Sequence, residues 1–211
     1  EGNMLISNFR GMKYPTEYVI RFFFKEFLHL RKGIVLELGC GNGNNLMLFY
    51  QYEWNVQGID IDDTLVNQAN FNFERVASDY GLSNKYSFNI KDMVDFVEQY
   101  HGDPFDVLML PHSICYLSPE RIEMLFQLLK ERSMVGKDSF LFLTVRSPDD
   151  YRFGRGNQVG DKSFILNIEE TGEMGRTNTF CTRDEIVGIL NKMFSFEYLL
   201  VTRQEYENYN S

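Results

Sequence analysis

The segment Ile34-Val35-Leu36-Glu37-Leu38-Gly39-Cys40-Gly41-Asn42-Gly43-Asn44-Asn45 constrains this chain more than any other part of it. A short apolar run that ends in an acid, three glycines at alternate positions and a helix-compatible stretch read as a buried strand, a tight turn and a helix start. Glycine in such a turn supplies φ > 0 and lets a ligand approach the main chain with no Cβ in the way. The turn would deliver that ligand to the unpaired N–H groups at the start of the helix.

The rest of the chain repeats this alternation. An amphipathic helix is expected over Pro15–Leu30, from apolar side chains at Val19, Phe22, Phe23, Phe27 and Leu30, with Gly33 as its stop. Strands are expected near Ile34–Leu38, Trp54–Ile59, Tyr86–Ile90, Phe105–Leu110, Ser139–Val145 and Phe196–Thr202. Helices are expected at Asn44–Tyr52, from Asp62 or Asp63 to Tyr80 with Gly81 as its stop, at Val94–Tyr100, from Pro119 to about Arg132, and from Thr182-Arg183-Asp184-Glu185 to about Met193. Strands alternating with helices predict an α/β, Rossmann-like, doubly wound and mostly parallel sheet of about six or seven strands with helices on both faces.

The alternation breaks after Arg146. Residues 147–182 are polar and glycine-rich, with β-compatible runs at Ser163–Ile168 and Thr177–Cys181, and read as an insertion or lid near the acceptor side, a hairpin being one form it could take. The expected organisation is one domain over 1–211, with a loop and helix over 1–33 and the lid over 147–182. The stretch Phe9-Arg10-Gly11-Met12-Lys13-Tyr14-Pro15 reads either as a loop folding over a ligand or as an ordinary lead-in. The first few residues after Glu1 are left out of the fold reading.

Composition narrows the partners. A net charge of −9 and a pI near 4.9 disfavour nucleic acid and anionic membrane surfaces, both of which are bound through clustered Lys and Arg. The longest apolar stretch, Tyr18–Leu30, is broken by charges and too short to span a bilayer. Cys40, Cys115 and Cys181 are widely spaced, with no Cys-x-x-Cys, which predicts reduced thiols in a cytoplasmic protein and neither disulfides nor a metal site.

In an open parallel sheet the ligand lies beyond the carboxyl ends of the strands. Those ends present Glu37 with the glycines, Asp60, Asp92-Met93, Pro111-His112-Ser113 and Arg146. Together they resemble the class I S-adenosylmethionine-dependent methyltransferases of small-molecule type, over roughly Tyr14 to Thr202. The resemblance implies S-adenosyl-L-methionine as cofactor and S-adenosyl-L-homocysteine as product. It implies a cofactor site of Glu37, Gly39, Cys40, Gly41, Gly43, Asn44, Asp60, Ile61, Asp92, Met93 and Pro111. In that pattern the glycine turn reaches the methionine and sulfonium side, Asp60 holds the ribose hydroxyls, Ile61 packs on adenine and Asp92-Met93 receives the adenine amino group. Two of these features have a plainer reading as well, the glycine run as no more than a tight turn and Asp60-x-Asp62 as a helix N-cap.

The loop Pro111-His112-Ser113-Ile114-Cys115-Tyr116 lacks the Asn-Pro-Pro-Tyr and Pro-Cys patterns of nucleobase methylation, so the expected acceptor is a small or sugar-type molecule. Its candidate contacts are Tyr14, His112, Tyr116, Arg146, Tyr151 and Arg155. His112 is the candidate general base, since imidazole titrates near neutral pH; the alternative is a hydrogen-bonded loop histidine. Several arginines in this region suggest an anionic or hydroxyl-rich acceptor, unless Asp149, Asp150 and Asp161 neutralise them. The family's antiparallel seventh strand has no counterpart after Thr202, and an open edge of that kind would favour a homodimer. Two other functions compete: an S-adenosylmethionine-binding scaffold or regulator without methyl transfer, and a nicotinamide-dependent oxidoreductase. Against the second, the third glycine of Gly-x-Gly-x-x-Gly arrives one residue early, at Gly43.

Overall fold

Five parallel strands carry the molecule in the computed structural model, which describes residues 6–169 and 172–203. They are β1 (Ile34–Leu38), β2 (Asn55–Asp60), β3 (Tyr86–Ile90), β4 (Phe105–Leu110) and β5 (Val135–Leu143). Their order is β3-β2-β1-β4-β5. The chain therefore begins at the centre, moves out to one edge and returns to the far side of β1. This reversal between β1 and β4 opens a crevice at their carboxyl ends, where open parallel sheets take ligands.

Each strand sends alternate side chains to opposite faces. Val35, Val56, Val107 and Met109 face the layer formed by α1 (Glu17–Lys25), α2 (Asn44–Gln51) and α3 (Asp63–Tyr80). Leu36, Leu38, Ile59, Leu108 and Leu110 face α4 (Met93–Glu98), α5 (Pro119–Glu131) and α6 (Arg183–Met193). Both faces are covered, which is why the central strands read as continuous apolar runs. Four of the helices begin where the sequence offers an oxygen to the first free N–H groups: Asp62 caps α3, Asp92 α4, Ser118 α5 and Thr182 α6, Thr182 in a reciprocal capping box with Glu185.

The structure departs from the sequence reading in four places. Helix α1 ends at Lys25 and not at Leu30, because Phe27 turns left-handed (φ 55°) and the chain continues as a short turn over Leu28–Leu30. Strand β5 begins at Val135, four residues earlier than expected; its register shifts between Phe105 and Val107, and the Ser139 hydroxyl donates to the Phe105 carbonyl there. The expected last strand, Phe196–Thr202, makes no strand pairing among the described residues; Tyr198 bonds Glu26 there, and Arg203 pairs with Asp149 at 3.2 Å. Among the described residues the parallel sheet thus has five strands, where six or seven were expected. Further strands lie within residues 147–182, where β6 (Asn157–Gly160), β7 (Ser163–Ile165) and β8 (Thr177–Thr179) form a separate antiparallel sheet. Phe164, Leu166 and Phe180 give that sheet a small core of its own.

Phe126 on α5 is fully buried against the second face of the parallel sheet. Phe126→Ala should cost about 3–5 kcal/mol, read as a lower urea midpoint with unchanged slope. A loss below about 1 kcal/mol would contradict this packing.

Candidate active site at the carboxyl ends of the strands

The glycine turn is fastened to the end of β2. The N–H groups of Gly39 and Cys40 both donate to the Ile59 carbonyl, at 2.7 and 3.0 Å. The Gly41 N–H donates to Asp60 Oδ2 at 2.7 Å, and Asp60 Oδ1 accepts from the Asp62 N–H at 3.0 Å. Asp60 therefore braces the turn, while Asp62 caps α3. Gly39 (φ 80°) lies so close to the loop after β4 that a Cβ there would sit 2.4 Å from Cβ of Ser113. Gly41 (φ 54°) is different: a Cβ there would meet nothing within 4 Å, so its backbone borders open space.

Glu37, 1 % exposed, lies beneath this turn. Its Oε1 accepts from Nδ2 of Asn45 at 2.7 Å, and its Oε2 is buried without a partner. Burial raises its pKa to about 8; the Asn45 bond opposes the rise and the charge of Asp60 adds to it. The asparagines beside the glycines tie down the N-terminal segment. Nδ2 of Asn42 donates to the carbonyls of Arg10 (2.7 Å) and Met12 (2.9 Å), and Nδ2 of Asn44 to that of Tyr14 (2.8 Å). Oδ1 of Asn45 accepts from the Thr16 N–H at 2.9 Å, so one side chain bridges Glu37 and the start of α1.

A cleft of about 1050 Å³ opens beyond the turn, bordered by Gly39, Gly41, Asp60, Ile61, Asp92, Met93, His112 and Tyr116 among others. One wall is acidic, with Asp60, Asp62 and Asp63. Ile61 stands 72 % exposed on it, offering an apolar surface. Asp92 Oδ1 caps α4 and also pairs with Arg121 at 2.7 Å.

Behind the opposite wall Tyr116, Arg146, Arg152 and Glu173 form a network. Glu173 Oε1 accepts from the Tyr116 hydroxyl and from Arg146, both at 2.5 Å, and Oε2 accepts from Arg152 at 3.0 Å. Arg152 also pairs with Asp150 at 2.8 Å. Burial alone would raise the Glu173 pKa, but the bonds from Arg146 and Tyr116 outweigh it and bring the pKa down to about 2. Burial and the bond to Glu173 push Tyr116 up to about 12. His112 takes up a left-handed conformation (φ 53°), with its N–H on Oγ1 of Thr144 at 2.7 Å. Its ring reaches solvent through the open cleft, yet the surrounding protein and then the charges of Arg146 and Arg152 lower its pKa.

The sequence candidates therefore separate. Gly39, Gly41, Asp60, Ile61, Asp92, Met93, His112 and Tyr116 border one cleft. Glu37, Cys40, Gly43, Asn44 and Pro111 stand behind its surface: the Cys40 thiol packs in the core, and a Cβ at Gly43 would press on Phe73 at 2.9 Å. Arg146 is buried behind Tyr116. Tyr14 contributes its carbonyl to Asn44, and its ring is exposed. Tyr151 and Arg155 are exposed and do not border the cleft, whereas their neighbour Arg152 enters the Glu173 network. Sequence reasoning passed over Asn45, Glu173 and Arg176. The asparagine run beside the glycines was a visible signal for the first; nothing local marks the other two.

A family model described as a methyltransferase domain matches residues 35–132, from β1 through the end of α5. Among solved structures, an S-adenosylmethionine-dependent methyltransferase from Methanosarcina mazei is similar at 17 % identity and TM-score 0.66, over 80 % of this chain and 82 % of that one. One from Archaeoglobus fulgidus is similar at 18 % identity and TM-score 0.57, over 89 % and 71 %. Magnesium protoporphyrin IX methyltransferase from Synechocystis PCC 6803, with S-adenosylhomocysteine bound, is similar at 18 % identity and TM-score 0.56, over 83 % and 70 %. These structures share the fold of this chain. A search of curated protein sequences found no significant match.

The buried Glu37 gives a test by pH. Folded, it keeps its proton to about pH 8, whereas unfolded it releases it near the ordinary value of 4.5. Between these values the folded state binds the extra proton, so this contribution to stability is complete below 4.5 and is lost as pH rises through 8. Glu37→Gln should remove that loss, its melting temperature gaining on the wild type as pH goes from about 5 to about 8. Parallel melting profiles over this range would contradict the assignment.

Proposed function

We propose that this chain, which belongs to the class I S-adenosylmethionine-dependent methyltransferases and takes S-adenosylmethionine as its methyl donor, transfers the methyl group to a small-molecule or sugar-type acceptor. The observation that carries this reading is a single cleft at the β1/β4 switch point, with an acidic wall at the glycine turn and a wall of His112, Tyr116 and Arg176 facing it. About 1050 Å³ is ample for a donor and a small acceptor side by side.

Several features fit the donor. The backbone at Gly41 borders the cleft with no side chain in the way, and the carboxylates of Asp60, Asp62 and Asp63 suit a cationic ligand. Each Asp60 oxygen holds one backbone N–H and keeps acceptor capacity for a ribose hydroxyl. Ile61 and Met93 offer apolar surface to adenine beside Asp92, and Glu37, Cys40, Gly43, Asn44 and Pro111 shape the turn from behind. S-adenosylmethionine would supply a methyl group on positively charged sulfur: a bond from the acceptor atom to the methyl carbon forms as the carbon–sulfur bond breaks, and neutral S-adenosylhomocysteine leaves.

The chain's own contribution is positioning, which can lower a barrier by about 7–11 kcal/mol. His112, its pKa lowered, is neutral at physiological pH and able to take a proton from an acceptor hydroxyl. Tyr116 lines the acceptor side, with Arg146 behind it holding Glu173. The described part of the 147–182 segment acts as a lid through Arg176 and Thr177, and residues 10–16 as a cover held by the asparagines. The free thiols of Cys40, Cys115 and Cys181 support a cytoplasmic setting. Among the described residues no helix is long and apolar enough to cross a membrane.

Asp60→Ala should weaken binding of S-adenosylhomocysteine, measured by calorimetry, by about tenfold to a hundredfold, the worth of one or two bonds to a charged acceptor. Unchanged affinity would overturn the donor assignment. His112→Asn keeps a residue type that tolerates the left-handed conformation. With a base role, kcat falls about a hundredfold while S-adenosylhomocysteine binds as before; an unchanged kcat leaves His112 a loop residue.

A further inference from the structure

The cleft is unevenly charged, and beside Tyr116 it is bordered by an arginine that pairs with no carboxylate among the described residues. Arg121 pairs with Asp92, while Arg146 and Arg152 converge on Glu173 and Asp150. Arg176 also borders the cleft, with its guanidinium carbon 5.8 Å from the centroid of the Tyr116 ring, and it pairs with no carboxylate among the described residues.

Its backbone is fixed on both sides. The Arg176 N–H donates to the Glu173 carbonyl at 3.0 Å, and its own carbonyl accepts from the Leu166 N–H at 3.1 Å. The next residue, Thr177, opens β8 and borders the same cleft. Tyr116, the surface beneath the guanidinium, is itself anchored by its hydroxyl to Glu173 and flanked by Arg146, whose guanidinium carbon lies 5.5 Å from the ring centroid. A guanidinium resting on an aromatic ring keeps its edge donors free, in the planar fork that matches a carboxylate or phosphate.

We propose that Arg176 is a substrate-binding residue: it holds an anionic group of the methyl acceptor, a carboxylate or a phosphate, beside Tyr116. This deepens the methyl-transfer reading of the cleft and rests on it. Neighbouring charge favours the same ligand. Glu173, the nearest acid in sequence, is already bonded to two arginines and a tyrosine, and the acidic residues Asp60, Asp62 and Asp63 belong to the opposite wall. The anion is a handle and not the methylated atom, because pairing with a guanidinium lowers the nucleophilicity of the oxygen it holds. Arg176 thus sets which acceptors enter, and His112, on the same cleft, stands near the part left free.

The test uses full-length protein saturated with S-adenosylhomocysteine and titrated calorimetrically with benzoate, inorganic phosphate and, as a neutral control, benzamide. At least one anion should bind about tenfold more tightly than benzamide, and the preferred anion tells carboxylate from phosphate recognition. Arg176→Gln, at an exposed position, should abolish that preference while leaving the S-adenosylhomocysteine affinity within about twofold, and Arg176→Lys should keep part of it. Absence of anion binding, equal binding of benzamide, or an anion preference untouched by Arg176→Gln would overturn the proposal. So would a tenfold loss of S-adenosylhomocysteine affinity in Arg176→Gln, which would place the donor's own carboxylate on Arg176. If wild-type protein bound no S-adenosylhomocysteine at all, the methyl-transfer reading itself would fail, a result distinct from each of these.

Discussion

The end of β2 holds the beginning of α2, and the site follows from that attachment. The Ile59 carbonyl accepts two N–H groups of the glycine turn, and the Asp60 carboxylate accepts a third from Gly41. Glycine at positions 39 and 41 allows the left-handed backbone that these three bonds need. With the turn held flat against β2, the loop after β4 closes in until Ser113 nearly touches Gly39, and the space left beyond them becomes the cleft. The same turn carries the asparagines that fasten residues 10–16 across it, so the turn and the N-terminal segment share one set of bonds.

Two buried carboxylates near the cleft meet opposite fates for one physical reason. Each loses water, which favours the neutral acid. Glu37 has only an amide from Asn45 as compensation, with the charge of Asp60 against it, and it keeps its proton to about pH 8. Glu173 receives two guanidinium groups and a phenol and remains ionised down to about pH 2. The glycine turn is thereby supported from beneath by a neutral acid, while the Tyr116 side of the cleft rests on a charged network that fixes that tyrosine.

The central strands were legible because burial on both faces leaves a run such as Phe105–Leu110 uniformly apolar, and the helix starts because capping needs particular oxygens at particular offsets. Helix α1 stopped early because Phe27 took a backbone conformation that no residue type announces. Phe196–Thr202 looked like a strand by composition, but a strand needs a pairing partner, and side-chain contacts to Glu26 and Asp149 took that place. After Arg146, composition pointed to arginines without saying which would be matched. Arg152 turned toward Glu173, Arg155 remained exposed, and Arg176, twenty-one residues further on, reached the cleft.

Local chemistry was enough to determine the alternating strands and helices, the glycine turn and the acids at the strand ends, because caps, turns and apolar runs act over a few residues. Tertiary structure alone decided that Asp60 grips Gly41, that Glu37 is neutral, and that Tyr116 and Arg176 share a wall. Each of these depends on groups far apart in sequence, and on the water that folding removes from between them.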